Sequence, residues 1–409
     1  ARELHNNSNT LTSESEEEQV TPDTLLDKVL RRVMEMRAEA KAESREAGDA
    51  KDIEQNTLKV VSNAGGFGAL GMPGFRFFCK PVSEEITRIG RETIRRARDV
   101  VEQHTPYEIV FGDTDSIAIR TGISSLEPDS RERCKAVARE LEQLINQHCS
   151  KQGMSNPLLQ QEEPSHIHMR MERIVTDLFV DKKKRYSYLT RFRDTAAAAD
   201  AAVAAAANEF CCEREDKGLE TVRSDWSPIA KRALSRTLDA MLNIQPLQEL
   251  AETIVKILKD ECSQLSTAPI EDLYLHKALG QPLRNYCAQK SLHQHQNAAP
   301  RKPPHHVQVA LWLANTAESG VLPPDKGNVI PYIMCTNNQP CHPTRFWKEH
   351  PLWKIDYAWY EKHQIRSLVY RITESVEGLA PLVNPNSNSS NSKSKSKRTT
   401  AAGGTTIVQ

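Results

Sequence analysis

The stretch Tyr107-Glu108-Ile109-Val110-Phe111-Gly112-Asp113-Thr114-Asp115-Ser116-Ile117-Ala118-Ile119 limits what this chain can fold into more than any other. An apolar, β-forming run enters a tight Gly-Asp-Thr-Asp turn and an alternating run leaves it. That pattern predicts a short antiparallel hairpin with two carboxylates, Asp113 and Asp115, at its tip. Hard divalent cations such as Mg²⁺ take oxygen ligands and keep several waters, so carboxylates on a rigid turn, with room for substrate phosphates, suit them. Asp-rich turns also occur with solvated acids and no metal. The turn alone leaves both readings open.

The 409 residues suffice for two or three domains, and 54 basic against 54 acidic residues leave no net charge, so attraction to nucleic acid must rest on local clusters. Nine cysteines form no C-x-x-C pair, which fits reduced thiols in an intracellular protein, and Cys335, Cys341 and His342 match no zinc spacing. There is no apolar run of membrane-spanning length and no signal peptide, so a soluble protein with no membrane partner is expected.

Thr21-Pro22-Asp23 signals a helix start, and Leu25, Leu26, Val29, Leu30, Val33 and Met34 recur at helical spacing. A second helix from Asp52 to about Ser62 completes a helical hairpin. Helical patterns around Ile86–Val101 and Cys134–His148 flank the acidic turn, and a strand from Ile167 to Val180 leads into the basic run Lys182-Lys183-Lys184-Arg185-Tyr186. This order packs as helices on an antiparallel sheet, an α+β fold. By itself the basic run fits a solvated turn, a localisation signal or a nucleic-acid contact. Tryptophans 312, 347, 353 and 359 are expected in a core.

Four segments share one resemblance. Phe111-Gly112-Asp113-Thr114-Asp115-Ser116 resembles motif C of family B DNA polymerases, with Phe111 where the family has Tyr. Gln55, Lys59 and Asn63 keep the spacing of the family's fingers helix; Ala64 then replaces a Ser, Phe67 stands for the Tyr, and one residue is inserted around Gly65-Gly66, which must loosen or bulge the helix end. Lys183-Lys184-Arg185-Tyr186 resembles the segment that holds the primer terminus. Lys217-Gly218-Leu219-Glu220-Thr221-Val222-Arg223-Ser224-Asp225 resembles the opening of the thumb, with Ser224 in place of an Arg. Later stretches from His306 to Glu374 look like further thumb segments.

The resemblance implies a DNA-directed DNA polymerase that adds deoxynucleotides to a primer 3′ end by two-metal phosphoryl transfer during replication. It implies a fingers hairpin over 20–71, a palm with an antiparallel sheet and packed helices over 72–215, and a mostly helical thumb over 216–380. A linker over 1–19, an Ala-rich insertion over 194–207 and a basic tail over 381–409 are expected to be disordered. By the same resemblance, Asp113 and Asp115 are catalytic, with Asp115 the main ligand of two Mg²⁺ ions that Mn²⁺ can replace. Lys59, Arg32, Asn63 and Phe67 bind the incoming nucleoside triphosphate. Lys183, Lys184, Arg185, Tyr186, Lys217 and Arg223 bind primer-template DNA, and Asp225 pairs internally.

The wording Leu58-Lys59-Val60-Val61 and the thumb insertions look like a large DNA virus enzyme, herpesvirus-like, which implies the host nucleus. The basic tail, with Lys393, Lys395, Lys397 and Arg398, fits a nuclear signal, a nonspecific DNA arm or a tether for a processivity factor. The family's motif A carboxylate is missing from these residues, so the chain alone is expected to be inactive. A noncatalytic duplex-binding remnant and another palm-type nucleotidyltransferase are the alternatives.

Overall fold

In the computed structural model the described residues are 25–47, 49–125, 127, 129–151, 154–155, 162–163, 167–193, 210–243, 246–286, 302–316, 323–385 and 404–408. The expected linker 1–19 and Ala-rich insertion 194–207 lie outside them. The chain divides into two compact units, Ala1–Glu92 and Thr93–Gln409. The boundary falls within a helix, beyond the expected end of the fingers at 71.

In the first unit, α1 (Leu25–Ala47) and α2 (Asp49–Asn63) form the expected hairpin. Its apolar stripe is only partly covered: Ala40 is buried, whereas Leu25, Val29, Met34, Val60 and Val61 are exposed. The chain continues from α2 into a π-helical segment, Ala64–Gly68. A π-turn is how a helix accommodates one extra residue without breaking, so the insertion around Gly65-Gly66 takes the form of a bulge. Gly66 is buried, and a Cβ there would meet Leu30 of α1 at 3.4 Å.

The second unit begins inside α3 (Lys80–His104). Its acidic-turn hairpin is β1 (Glu108–Asp113) and β2 (Ser116–Ile123), antiparallel and closing at Asp113↔Ser116, with a bulge between Ile109 and Phe111. Ala97 and Val101 of α3, Leu141 and Ile145 of α4 (Ser130–Lys151), and Ile117 and Ile119 of β2 share one apolar core. The alternation of β2 sends these isoleucines to the helices and Ala118 to the opposite face, against Val175, Leu178 and Tyr188.

The strand expected over Ile167–Val180 is split. Thr176 donates both its N–H and its Oγ1 to the carbonyl of Leu189, at 2.9 Å each. The chain thereby leaves one sheet as β3 (Met171–Val175) and enters another as β4 (Asp177–Lys182). That second sheet runs in the order β4, β5 (Arg185–Arg193), β6 (Phe210–Lys217), all antiparallel.

The residues after 216, expected to form the thumb, carry the largest core, built on Ile229, Leu234 and Leu238 of α5 (Pro228–Leu242) and Leu250 and Ile254 of α6 (Leu247–Ser263). A three-stranded sheet pairs β7 (Leu275–Ala278) and β9 (Gln339–Cys341) with β8 (Val329–Cys335). Helices α7 (His305–Thr316) and α8 (Ser367–Thr373) complete this region. Tyr360 is fully buried and ties it together, donating to the Leu273 carbonyl at 2.8 Å and accepting from Met334 N at 3.0 Å. Trp353 and Trp359 pack against the core, and Trp312 stacks on His342. Trp347 departs from expectation: Phe346 takes the buried position, leaving its neighbour 58% exposed.

The tail also departs from expectation. Helix Leu379–Val383 continues past residue 381, and β10 (Gly404–Val408) inserts between β2 and β3, antiparallel to both. Thr405-Thr406-Ile407-Val408 is an uninterrupted β-branched run, stiff and strand-forming. It pairs two strand edges that would otherwise be open. Lys393, Lys395, Lys397 and Arg398 lie outside the described residues.

Candidate active site

The tip of the β1–β2 hairpin is a very tight turn. Asp115 N–H donates to the Asp113 carbonyl at 2.7 Å, and Thr114 between them has φ +57°. This is a three-residue turn with a positive central φ, a form both rare and strained. Thr, β-branched, is poorly suited to positive φ. Strain of this kind costs of order 1–3 kcal/mol and persists where the surroundings over-determine it. Here Ser116 Oγ also donates to the Asp113 carbonyl at 3.1 Å.

A second hairpin supplies the partners. Lys183 and Lys184 form the turn between β4 and β5, which closes at Lys182↔Arg185, and Lys184 has φ +63°. Lys184 Nζ lies 3.1 Å from Asp113 Oδ1, and Tyr186 OH donates to Asp113 Oδ2 at 3.2 Å. Thr114 Oγ1 donates to Oδ1 at 3.0 Å and accepts from Lys184. The Phe111 ring meets Tyr186 edge-on at 4.8 Å. The acidic tip and the basic run, 70 residues apart in sequence, therefore meet side chain to side chain.

The electrostatics follow. Partial burial pushes the Asp113 carboxyl up, but the hydrogen bonds from Lys184 and Thr114 outweigh it, and the net shift is below the usual carboxylate range. Burial, reinforced by the neighbouring Asp113 charge, pushes the Tyr186 phenol up to about 12. Tyr186 therefore stays a protonated donor where Asp113 is an anion. Asp115 is exposed at the tip.

Among the described residues no group of three or more His, Cys, Asp or Glu is placed to hold a metal ion. Two carboxylates, one of them paired with Lys184, can give one octahedral ion its protein ligands, with water and substrate phosphates supplying the rest, but they do not suffice for two ions. The described residues thus do not make up a two-ion site by themselves.

The remaining predicted residues divide. Lys183 is exposed on the turn. Arg185 is not presented to a ligand: Nε bonds Asp181 at 2.8 Å, and Nη1 and Nη2 bond the two oxygens of buried Glu220 at 2.7 and 2.8 Å. With each guanidinium nitrogen engaged internally, Arg185 braces the turn where DNA contact was expected. Lys217 pairs with Glu215. Arg223 makes a two-pronged pair with Asp225, Nε to Oδ1 at 3.0 Å and Nη2 to Oδ2 at 2.9 Å, which gives Asp225 its internal partner.

Lys59, Arg32, Asn63 and Phe67 belong to the first unit and are exposed there. Arg32 sits 3.4 Å from Glu35 and 3.8 Å from Glu39, surface pairs worth little. Phe67 lies within the π-helical segment, 48% exposed. Sequence reasoning missed the bonds from Tyr186 and Thr114 to Asp113, since nothing in the spacing says which loop will face the tip. It also missed the Arg185–Glu220 pair, which no local pattern signals.

Comparison with known proteins shows the family. Residues 3–376 match the family model described as DNA polymerase family B. The chain is 28% identical over 336 residues to the DNA polymerase alpha catalytic subunit of Xenopus laevis, covering 80% of this chain and 20% of that protein. It is 28% identical over 377 residues to the alpha catalytic subunit of Oryza sativa subsp. japonica, covering 87% and 21%. Among solved structures, the family B DNA polymerase of the hyperthermophilic archaeon Pyrobaculum calidifontis matches with TM-score 0.45 and 20% identity, covering 87% of this chain and 39% of that one. The chain spans about a fifth of the length of these curated relatives. With the family model covering nearly its whole length, the chain belongs to DNA polymerase family B.

Proposed function

We propose that this chain is the fingers, palm and thumb portion of a DNA-directed DNA polymerase that extends a primer 3′ end with deoxynucleotides during replication. The observation that carries the reading is the convergence of Lys184 and Tyr186 on Asp113 at a strained turn. A chemically idle acidic turn has no need of an ammonium and a phenol from a second hairpin. Polymerases of family B generally work with divalent metal ions, and Asp115 and Asp113 are the residues of this chain suited to help hold one. The missing carboxylate would come from outside these residues.

The other roles follow from charge and exposure. Lys183 and Lys184 supply cations for the phosphates at the primer terminus, and Tyr186 keeps the Asp113 carboxylate oriented. Lys217 and Arg223 can reach DNA phosphates only by exchanging their carboxylate partners. Lys59 and Arg32 hold the incoming triphosphate, Asn63 supports that helix face, and Phe67 lies under the nascent base pair. Cations fixed on the transferring and leaving phosphates are the usual means of phosphoryl transfer.

Similarity to alpha catalytic subunits of a frog and a plant supports a cellular replicative enzyme working in the nucleus over the herpesvirus-like source expected from Leu58-Lys59-Val60-Val61. No helix among the described residues is long and apolar enough to cross a membrane. Lys393, Lys395, Lys397 and Arg398 of the basic tail supply the charge by which it would hold a processivity factor.

Lys59→Ala tests the assignment in a polymerase completed with the missing motif. Losing one charge-assisted contact costs about 1.5–3 kcal/mol, so nucleotide addition should slow and triphosphate binding should weaken while primer-template affinity holds. Loss of DNA affinity with unchanged nucleotide binding would show that this helix serves DNA.

A further inference from the structure

The brace beneath the Lys183–Lys184 turn extends farther than the turn itself. Glu220 is 2% exposed and Asp181 5% exposed, and these two carboxylates hold Arg185 from both sides. Glu220 Oε1 also lies 2.6 Å from Arg371 Nη2 on α8, and Asp181 Oδ1 accepts from Ser375 Oγ just beyond that helix. The Arg371 guanidinium in turn sits 5.7 Å from the centre of the Trp226 ring. From the other side, Gly218 has φ +62°, and a Cβ there would fall 2.1 Å from the Lys184 carbonyl oxygen. The Gly218 carbonyl accepts from Arg185 Nη1 at 3.3 Å. The backbone of Lys184 is thus held by the segment Gly218–Glu220, and that segment is tied to α8. The Lys184 side chain, 59% exposed, reaches Asp113 and Thr114 from a positive-φ residue. The brace fixes the backbone from which that side chain departs, and Asp113 and Thr114 receive its ammonium.

We propose that Glu220 is a positioning residue: through Arg185 it fixes the turn that places Lys184 on the Asp113 carboxylate, and through Arg371 it links that turn to α8 of the thumb region. The proposal rests on the polymerase reading and deepens it. Glu220 touches neither Asp113 nor solvent, so any effect on catalysis passes through the turn. A purely fold-stabilising ion pair would lower the melting temperature and leave Lys184 as effective as before in the molecules that remain folded.

A double-mutant cycle in the completed polymerase separates these roles. Single-turnover extension at saturating nucleotide and DNA, and thermal melts, would be measured for the wild type, Glu220→Gln, Lys184→Ala and the double variant. Misplacing a positioning group can cost on the order of a hundredfold. Glu220→Gln is expected to slow extension at least about tenfold in folded enzyme. The double variant should be no more than about twofold slower than Lys184→Ala alone, because interacting residues do not add. Slowing by the product of the two single effects, or no slowing by Glu220→Gln, would overturn the proposal. Should Glu220→Gln fail to fold, Arg185→Lys keeps the buried positive charge, loses the two-pronged geometry and goes through the same cycle with the same criteria. A wild type that binds primer-template yet never extends it would remove the polymerase reading, and this proposal with it.

Discussion

Asp113 and Asp115 are two residues apart, yet the structure gives them different surroundings. Asp113 is held by an ammonium, a phenol and a hydroxyl, while Asp115 stands exposed at the tip. An Asp113→Asn change keeps the shape and loses the charge that Lys184 matches, so extension should fall without being abolished, with partial rescue by Mn²⁺ in place of Mg²⁺. Single-turnover extension in each metal checks this. The lowered Asp113 carboxyl also has a consequence for stability. A carboxylate with its folded pKa depressed stabilises above its unfolded pKa, near 4, and loses that contribution as pH falls through the folded value. Asp113→Asn should therefore reduce the acid sensitivity of folding below about pH 4, by a small amount given how much solvent reaches Lys184. At this scale the sequence was informative about residue type and silent about partners. Two carboxylates on a turn were legible from Gly-Asp-Thr-Asp, but the Tyr186 bond depends on how two hairpins approach, which no local pattern encodes.

Among the elements, the helical hairpin of the first unit shows how a sequence irregularity becomes structure. The extra residue around Gly65-Gly66 signalled a loosened helix end, and it appears as the π-helical segment Ala64–Gly68. Nothing lies within 4 Å of a Cβ built on Gly65, and its φ is not positive. Gly65→Ala should therefore stabilise the segment by about 0.5–1 kcal/mol, the usual penalty of glycine inside a helix. Thermal and denaturant melts of the 409-residue chain check this; a fall in stability would mean that the bulge needs the freedom of glycine there. Element types were largely readable because α1, α3, α4, α5 and α6 keep strong 3.6-residue periods. The misses have physical reasons. The split falls at Thr176, whose N–H and hydroxyl both bond the Leu189 carbonyl, and β10 is a β-branched run pairing with two strand edges.

For the whole molecule, the proposed acidic centre rests on Asp113 and Asp115. With no third carboxylate beside Asp113 and Asp115 among the described residues, two adjacent divalent cations would be under-ligated and repel one another. The 409-residue chain by itself should bind primer-template DNA weakly and extend it at no measurable rate. Extension by the purified chain would show that a carboxylate within it completes the centre. Fold class was legible at this scale through motif order, whereas the division at Glu92 was not, because α3 runs through it without any break in helical pattern. The central claim is that the β1–β2 tip is the polymerisation centre, and Asp115→Asn bears on it most directly. Single-turnover primer extension by the completed polymerase carrying that substitution should fall at least about a thousandfold, equivalent to about 4 kcal/mol of transition-state stabilisation. Its melting temperature should stay near the wild-type value. An Asp115→Asn enzyme that extends primers at close to the wild-type rate would contradict the claim.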